Sequence, residues 1–291
     1  MPVYAGALSR FNYIVEDYLA APLGDDPAFT TIIADDFDPG IDPALIKVRG
    51  CGSRDLAALK RGLLKPDLKV AFPVPSDDIM SFLHHVVDCF SMSISVLDEG
   101  PDELIELLYK GARIDKATVS CSLEDVLRAE CDLMAVDVDS ASTKVADATY
   151  TPLSGAVSWA DVAVLKGNAD GTGLAAFEVV TDFKFTIANN LKRIGVLRAT
   201  TPTRAKYLEP RQRDLYGELT CTFENKDQYY AAAEGGFSLK FDLSAGKYFL
   251  FKDCQWDKVS SPRRPDDIIS LKLGFTAQSF EDSEEEEEEE E

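Results

Sequence analysis

Histidine is nearly absent: the 291 residues contain two, His84 and His85, adjacent in the chain. On a helix, neighbours point about 100° apart, so the pair offers no shared metal-binding face. No His-Glu-x-x-His surrounds them, and a structural or exposed role is expected. Long apolar runs are missing too; none approaches the ~18 residues of a membrane span. The start, Met1-Pro2-Val3-Tyr4, has neither the basic nor the apolar stretch of a signal peptide. Export and membrane insertion are not expected.

Positive charge is scarce. Thirty Lys and Arg face 51 Asp and Glu, a formal net charge of −21. Ten of those acids fall within Glu281 to Glu291, and the rest of the chain still carries about −11. Phosphate binding runs on Lys and Arg, so ordinary nucleic-acid wrapping is excluded. A wall that repels a passing nucleic acid is not. The six cysteines (Cys51, Cys89, Cys121, Cys131, Cys221 and Cys254) form no Cys-x-x-Cys and no zinc spacing. Cys121, Cys131 and Cys221 occupy the apolar phase of alternating patterns, as buried free thiols do in a reducing cytoplasm.

Period two dominates what is present, which predicts strands with one buried face. In the second half Phe183, Phe185 and Ile187 alternate with polar residues, as do Leu219, Cys221 and Phe223. Phe237 to Leu243 and Ile269 to Ala277 repeat the pattern. In the first half Leu68 to Val74, Met92 to Val96, Val119 to Leu123 and Val126 to Val138 do the same. Helices are few. One is predicted from Ser76 as N-cap through Ile79, Phe82, Leu83 and Val86. Another runs from Asp227 to Gly235-Gly236, and a third from Pro101 to Tyr109.

Strand, helix, strand, strand, strand thus occurs twice, an architectural repeat with little residue identity. The predicted fold is mainly β: two tandem sandwich or barrel domains, each with a short flanking helix. Their spans are 1–145 and 146–280, followed by a disordered polyacidic tail over 281–291. Residues 139–143 and 151–155 have linker composition. Asn168 to Gly173 is a turn joining Val162–Leu165 to Ala175–Val180 as a hairpin.

Enzyme signatures are lacking. Gly50-Cys51-Gly52-Ser53 has no Lys-Ser/Thr of a phosphate loop, and no dinucleotide fingerprint or nucleophile elbow occurs. Asp35 to Asp42 is rich in carboxylate, yet Pro39 interrupts any calcium-loop spacing, so a solvated acidic loop is expected. No catalytic residue, cofactor or metal is assigned. Two basic, mixed-charge stretches stand out in equivalent places of the two halves. Arg49, Arg54, Asp55, Lys60 and Arg61 precede Leu63; Tyr207, Arg211, Arg213 and Asp214 precede Leu215. They read either as exposed loops or as two copies of one arm that docks on acidic neighbours.

Several stretches carry a family likeness in order. They are Tyr4 to Ser9 with Tyr13 and Glu16; Gly52-Ser53-Arg54-Asp55; Tyr109 to Asp115 running on to Leu133; Phe183 to Leu191; and Pro210 to Asp214. Together they resemble the major tail tube proteins of long-tailed, siphovirus-like viruses of bacteria and archaea. The poly-Glu end, the acidity and the paired histidines do not match that family. The resemblance implies a structural virion protein whose copies add strands to one another and close a ring with a β-barrel bore. Rings stack into a tail tube around a tape-measure protein, capped by a tail terminator and a baseplate or tail tip. DNA leaves through the lumen without specific binding. Assembly in the host cytoplasm and residence in the virion tail follow. Two tube domains per chain predict a homotrimer rather than a homohexamer.

Two rivals remain at this stage. A polyacidic tail on an oligomeric β protein also suits a histone-chaperone-like binder of basic partners. A carboxylate-based glycosidase is the weaker alternative, because no pair of acids is marked out by its surroundings.

Overall fold

The computed structural model describes residues 9–49, 56–80, 82–99, 104–141, 143–197, 204–222, 236–261 and 270–283. Ten strands form a first unit. They are β1 (Ser9–Val15), β2 (Ala28–Ile32), β3 (Asp36–Asp42), β4 (Ile46–Arg49) and β5 (Leu56–Lys60). After them come β6 (Lys65–Pro73), β7 (Met92–Glu99), β8 (Leu104–Ser122), β9 (Arg128–Met134) and β10 (Asp137–Ala141). One connecting strand, β11 (Thr149–Pro152), runs parallel to β2.

Ten more strands form the second unit: β12 (Ala163–Asn168), β13 (Ala175–Ala176), β14 (Val180–Ala188), β15 (Lys192–Gly195) and β16 (Ala205–Glu209). The last five are β17 (Asp214–Thr222), β18 (Phe237–Ser244), β19 (Lys247–Ser260), β20 (Ser270–Ala277) and β21 (Ser279–Asp282). The only α-helix among the described residues is α1 (His85–Asp88).

Two strands serve two sheets each. The first part of β8 pairs with β7 and β10; its second part pairs with β9 and β14. The switch sits at a bulge between Ile114 and Lys116. Likewise β19 pairs first with β18 and β21 and then with β20, switching at a bulge between Trp256 and Lys258. A bulge adds one residue and bends the strand, which lets one chain segment turn a sheet corner.

The two units share their whole pairing scheme. β1–β7, β7–β8, β8–β10, β8–β9, β6–β9 and β3–β6 correspond to β12–β18, β18–β19, β19–β21, β19–β20, β17–β20 and β14–β17. Smaller features repeat with it. Gly111 and Asp253 have positive φ just before the corner, Ala44 and Asn190 just after the third strand of each unit. The ion pair Lys110–Asp139 in the first unit is matched by Lys252–Glu281 in the second.

Alternation decides the faces. Leu68, Val70 and Phe72 of β6 meet Phe82 and Val86 beside α1 in one continuous core with Phe185, Phe241, Phe251 and Phe275 of the second unit. The rings of the second unit touch edge to face or stacked; Phe185 alone meets Phe241, Phe249 and Phe251 within 5.4 Å. Cys89, Cys121, Cys131, Cys221 and Cys254 are buried free thiols. Burial pushes Cys121 up to about 11 and Cys221 and Cys254 to about 12, so all three stay protonated and inert.

Several expectations need correction. The segment around Leu104 to Tyr109 is strand, not helix, because β7 and β10 hydrogen-bond it on both sides. Pro101 lies outside the described residues. The helix expected from Ser76 is a single turn at His85–Asp88. Its N-cap is His84, not Ser76, and the Asp77 carboxylate takes the Ser154 backbone N–H at 3.1 Å and the Ser154 hydroxyl. Residues 139–141 are strand rather than linker, held against β8. Val126 to Val138 is two strands, since Ala135 and Val136 separate β9 from β10. The acidic run 35–42 is mostly the strand β3 and not a loop. Glu281 and Asp282, placed in the tail by sequence, belong to β21, and Asp282 is fully buried. The helix from Asp227, the opening at Tyr4 and residues 284–291 lie outside the described residues.

The histidines are structural. His84 places Nδ1 2.9 Å from Asp282 Oδ2 and Nε2 2.9 Å from Asp88 Oδ2, tying α1 to the last strand of the second unit. His85 lies between the Tyr13 and Phe90 rings, and Nδ1 has no hydrogen-bond partner among the described residues. Burial, and then the charge of His84, push it down to about 4.

Two predictions follow from these buried groups. The folded protein holds His85 neutral, whereas the unfolded chain takes up its proton near pH 6.5. Its contribution is therefore full above about pH 6.5 and is lost as pH falls toward 4, by at most about 3 kcal/mol. Thermal melts of His85→Phe between pH 7 and pH 4.5 should show a shallower loss than the parent. Glu16 accepts hydrogen bonds from the Ser93 hydroxyl (2.7 Å), the Gly111 N–H (2.9 Å) and the Ala20 N–H (2.8 Å). Glu16→Ala leaves those donors unpaired, and urea unfolding should show a loss of about 3 kcal/mol.

Candidate assembly surface

β14 crosses between the units. Its side chains alternate inward (Phe183, Phe185, Ile187) and outward (Asp182, Lys184, Thr186), and it pairs antiparallel with β8 from Asp182↔Ser122 to Ala188↔Lys116. The result is an eight-stranded sheet in the order β3-β6-β9-β8-β14-β17-β20-β19, four strands from each unit.

The chain then turns at Asn189-Asn190. Asp115, the extra residue of the β8 bulge, holds this turn: Oδ1 takes the Leu191 N–H at 2.6 Å and its carbonyl takes the Asn189 N–H at 2.7 Å. Asn189 Nδ2 donates to the carbonyls of Val86 and Ile114. Beyond the turn, the β15–β16 hairpin lies across the first unit. Leu208, Ala205 and Leu191 are buried against Cys89 and Val136. Arg193 donates to the carbonyls of Pro66 (2.6 Å) and Ala135 (3.2 Å) and to Asp67 (2.6 Å). Arg113 donates to the Leu208 carbonyl at 2.6 Å, and Arg204 pairs with Asp137. One unit thus grips the other with a strand and an arm.

The first unit carries the same strand and arm, and among the described residues no strand of another unit pairs with them. Among the described residues β3 pairs only with β6, and Gln255–Ser260 of β19 pairs only with β20. On the β4–β5 hairpin and the turn before it, Leu45 is 51% exposed, Ile46 54% and Leu59 57%. Apolar side chains of that size on a projecting arm mark a contact surface.

The described residues among those singled out in the sequence fall on these two arms or beside the turn that leads into the second. Arg49 ends β4; Lys60 ends β5 and Arg61 follows it, both exposed. Arg54 and Asp55 lie outside the described residues. Tyr207 is on β16 under the Lys206 ammonium, 4.8 Å from the ring. Arg211, Arg213 and Asp214 gather around the Asn189-Asn190 turn. Arg211 Nε donates to the Asn190 carbonyl, Arg213 Nε to Asn189 Oδ1, and Asn190 Nδ2 to Asp214 Oδ2. They brace the docked arm within the chain. Asp115, Arg113, Arg193 and Arg204 were not foreseen; no local pattern marks them, since their partners are 58 to 127 positions away or on another unit.

The outward face of the eight-stranded sheet carries Ser, Thr and charges of both signs. Lys65 pairs with Asp42, Lys69 with Asp132 (3.6 Å), Arg128 with Asp35 and Lys272 with Glu218 (3.3 Å). Thr118 and Thr186 hydroxyls bond across β8 and β14 at 3.1 Å. Cations already matched by carboxylates are poor anchors for phosphate. Among the described residues no group of three or more His, Cys, Asp or Glu is placed to hold a metal.

A search of curated proteins returned no match. A family model described as "Phage tail tube protein" matches residues 4–281, nearly the entire chain. With the mainly β fold, that match shows that the chain belongs to the phage tail tube protein family, a structural component of the virion tail.

Proposed function

We propose that copies of this chain join side by side into a ring, and that stacked rings form the hollow tube through which the genome leaves the virion. The observation that carries this reading is the eight-stranded sheet with an unpaired strand at each end among the described residues. Unpaired edges invite further strands, and a closed ring satisfies both at once. Each ten-strand unit acts as one tube domain, over 1–145 and 146–280. Three chains then supply six such domains, so a homotrimeric ring replaces a sixfold one. The role is structural, without catalysis.

The paired charges and hydroxyls of the outward sheet face suit a bore. With Lys65, Lys69, Arg128 and Lys272 matched by carboxylates and the chain acidic as a whole, phosphates are repelled over the ~8–10 Å screening length and DNA slides without being held. The tape-measure protein fills this bore during assembly, and a terminator and tip complex close its ends. The two basic stretches, Arg49, Arg54, Asp55, Lys60 and Arg61 in one and Tyr207, Arg211, Arg213 and Asp214 in the other, serve contacts between units and subunits.

Negative-stain and averaged images of the purified chain at high concentration should show tubes with threefold rings. A small soluble oligomer without tubes, or true sixfold rings, would count against the reading. Removing residues 284–291, and sparing the buried Asp282, should leave tube formation intact. If the truncated chain instead loses only polylysine binding and never forms tubes, the histone-chaperone alternative gains.

A further inference from the structure

The joint between the two units is a template for the joint between two chains. The pairing scheme aligns the units residue by residue. The bulged residues Asp115 and Asp257 correspond, which sets β8 against β19 and β9 against β20. Through β6 and β17, the third strands align as Asp36 with Asp182, Phe37 with Phe183, Ile41 with Ile187 and Asp42 with Ala188. Ala44 then corresponds to Asn190, and both have positive φ (43° and 51°). Leu45 corresponds to Leu191, Lys47 to Arg193 and Leu59 to Leu208.

Burial differs between the copies in one direction. Leu191 is 7% and Leu208 0% exposed under the docked arm, whereas their counterparts Leu45 and Leu59 are 51% and 57% exposed. The same holds at the strand: Ile187 is 1% and Ile41 49% exposed. Within the chain, β14 lies on the outer edge of β8. The counterpart of that edge, Gln255–Ser260 of β19, has no neighbour on its outer side among the described residues.

Resting on the ring reading above, we propose that β3 and the β4–β5 arm of one chain dock on the free edge of β19 in a second copy of this chain, in the register that β14 has on β8. Transferring that register sets Ile41 opposite Val259, Gly40 opposite Ser260 and Asp42 opposite Lys258. Each pairing is chemically sensible without adjustment. Ile41 and Val259 both lie on the core-facing side, and Asp42 and Lys258 bring opposite charges together on the outward side. Asp257, exposed and bulged, takes the Leu45 N–H as Asp115 takes that of Leu191. Its Oδ2 now only accepts from the Thr276 hydroxyl at 3.0 Å. A register shifted by one would put Ile41 on the wrong face.

Oxidising tubes or concentrated protein carrying both Ile41→Cys and Val259→Cys should give disulfide-linked multimers on a denaturing gel. Neither single variant should, because the described native thiols are buried. Ile41→Cys with Lys258→Cys, one position out, should not link either. Asp42→Lys or Lys258→Asp alone sets like charges opposite and should weaken assembly; the double reversal should restore it. Leu59→Asp, at a site exposed in the single chain, should leave the melting temperature of the unassembled protein unchanged. It should raise the concentration needed for assembly by more than about tenfold, the worth of one buried Leu. Tubes that form normally while the 41/259 pair stays unlinked and Leu59→Asp has no effect would overturn this contact and leave the tube reading standing. Absence of tubes and of links in every variant would overturn both.

Discussion

Strand pairing between β8 and β14 is the constraint on which the rest of the molecule hangs. With it, the backbone hydrogen bonds run unbroken across eight strands, and the inward residues Ala117, Val119 and Cys121 share one core with Phe183, Phe185 and Ile187. The bulges make this possible. By turning β8 and β19 out of their first sheets, they free the far ends of both strands to take a neighbour.

The buried polar groups serve the same geometry. Glu16 ties the chain leaving β1 to Gly111, the positive-φ residue just ahead of the β8 corner. Asp115 ties the corner itself to the turn after β14. His84 ties the short helix over the first core to Asp282 at the end of the second unit. Each contact joins segments distant in sequence, and each fixes an angle rather than adding area. In the proposed tube that stiffness would matter, since small angular errors would accumulate from ring to ring.

How much of this was legible in the sequence depends on distance along the chain. Period-two runs such as Phe237 to Leu243 and Leu68 to Phe72 announced strands with their buried faces assigned, because alternation is a local property. The repeat was visible as an order of elements, and the two basic stretches were recognised as equivalent before either was seen as a hairpin arm. Pairing partners were not visible. Leu104 to Tyr109 carries leucine and glutamate that favour a helix, and only its two-sided ladder with β7 and β10 makes it strand. Nor could sequence show that Arg213 and Asp214 brace an arm inside the chain while Leu59 waits on the other, since that difference lies in what each arm touches.

The residues at which the two joints differ explain how one can be internal and the other left open. Linking the units in one polypeptide makes the β8–β14 joint intramolecular, formed at high effective concentration as the chain folds. It can afford Lys184, Phe185 and Thr186, an edge that would be sticky if exposed. The open strand carries Asp38, Pro39 and Gly40 at those positions, with Asp36 and Asp42 at its ends. Negative charge and a proline on an edge deter casual pairing with any passing strand. Pro43 stands where β14's turn has Asn189, so the free arm has no N–H at that position, and its φ is fixed before docking. The open edge is therefore discouraged from pairing with strangers, while the proposed register would set Lys258 of a second copy opposite Asp42.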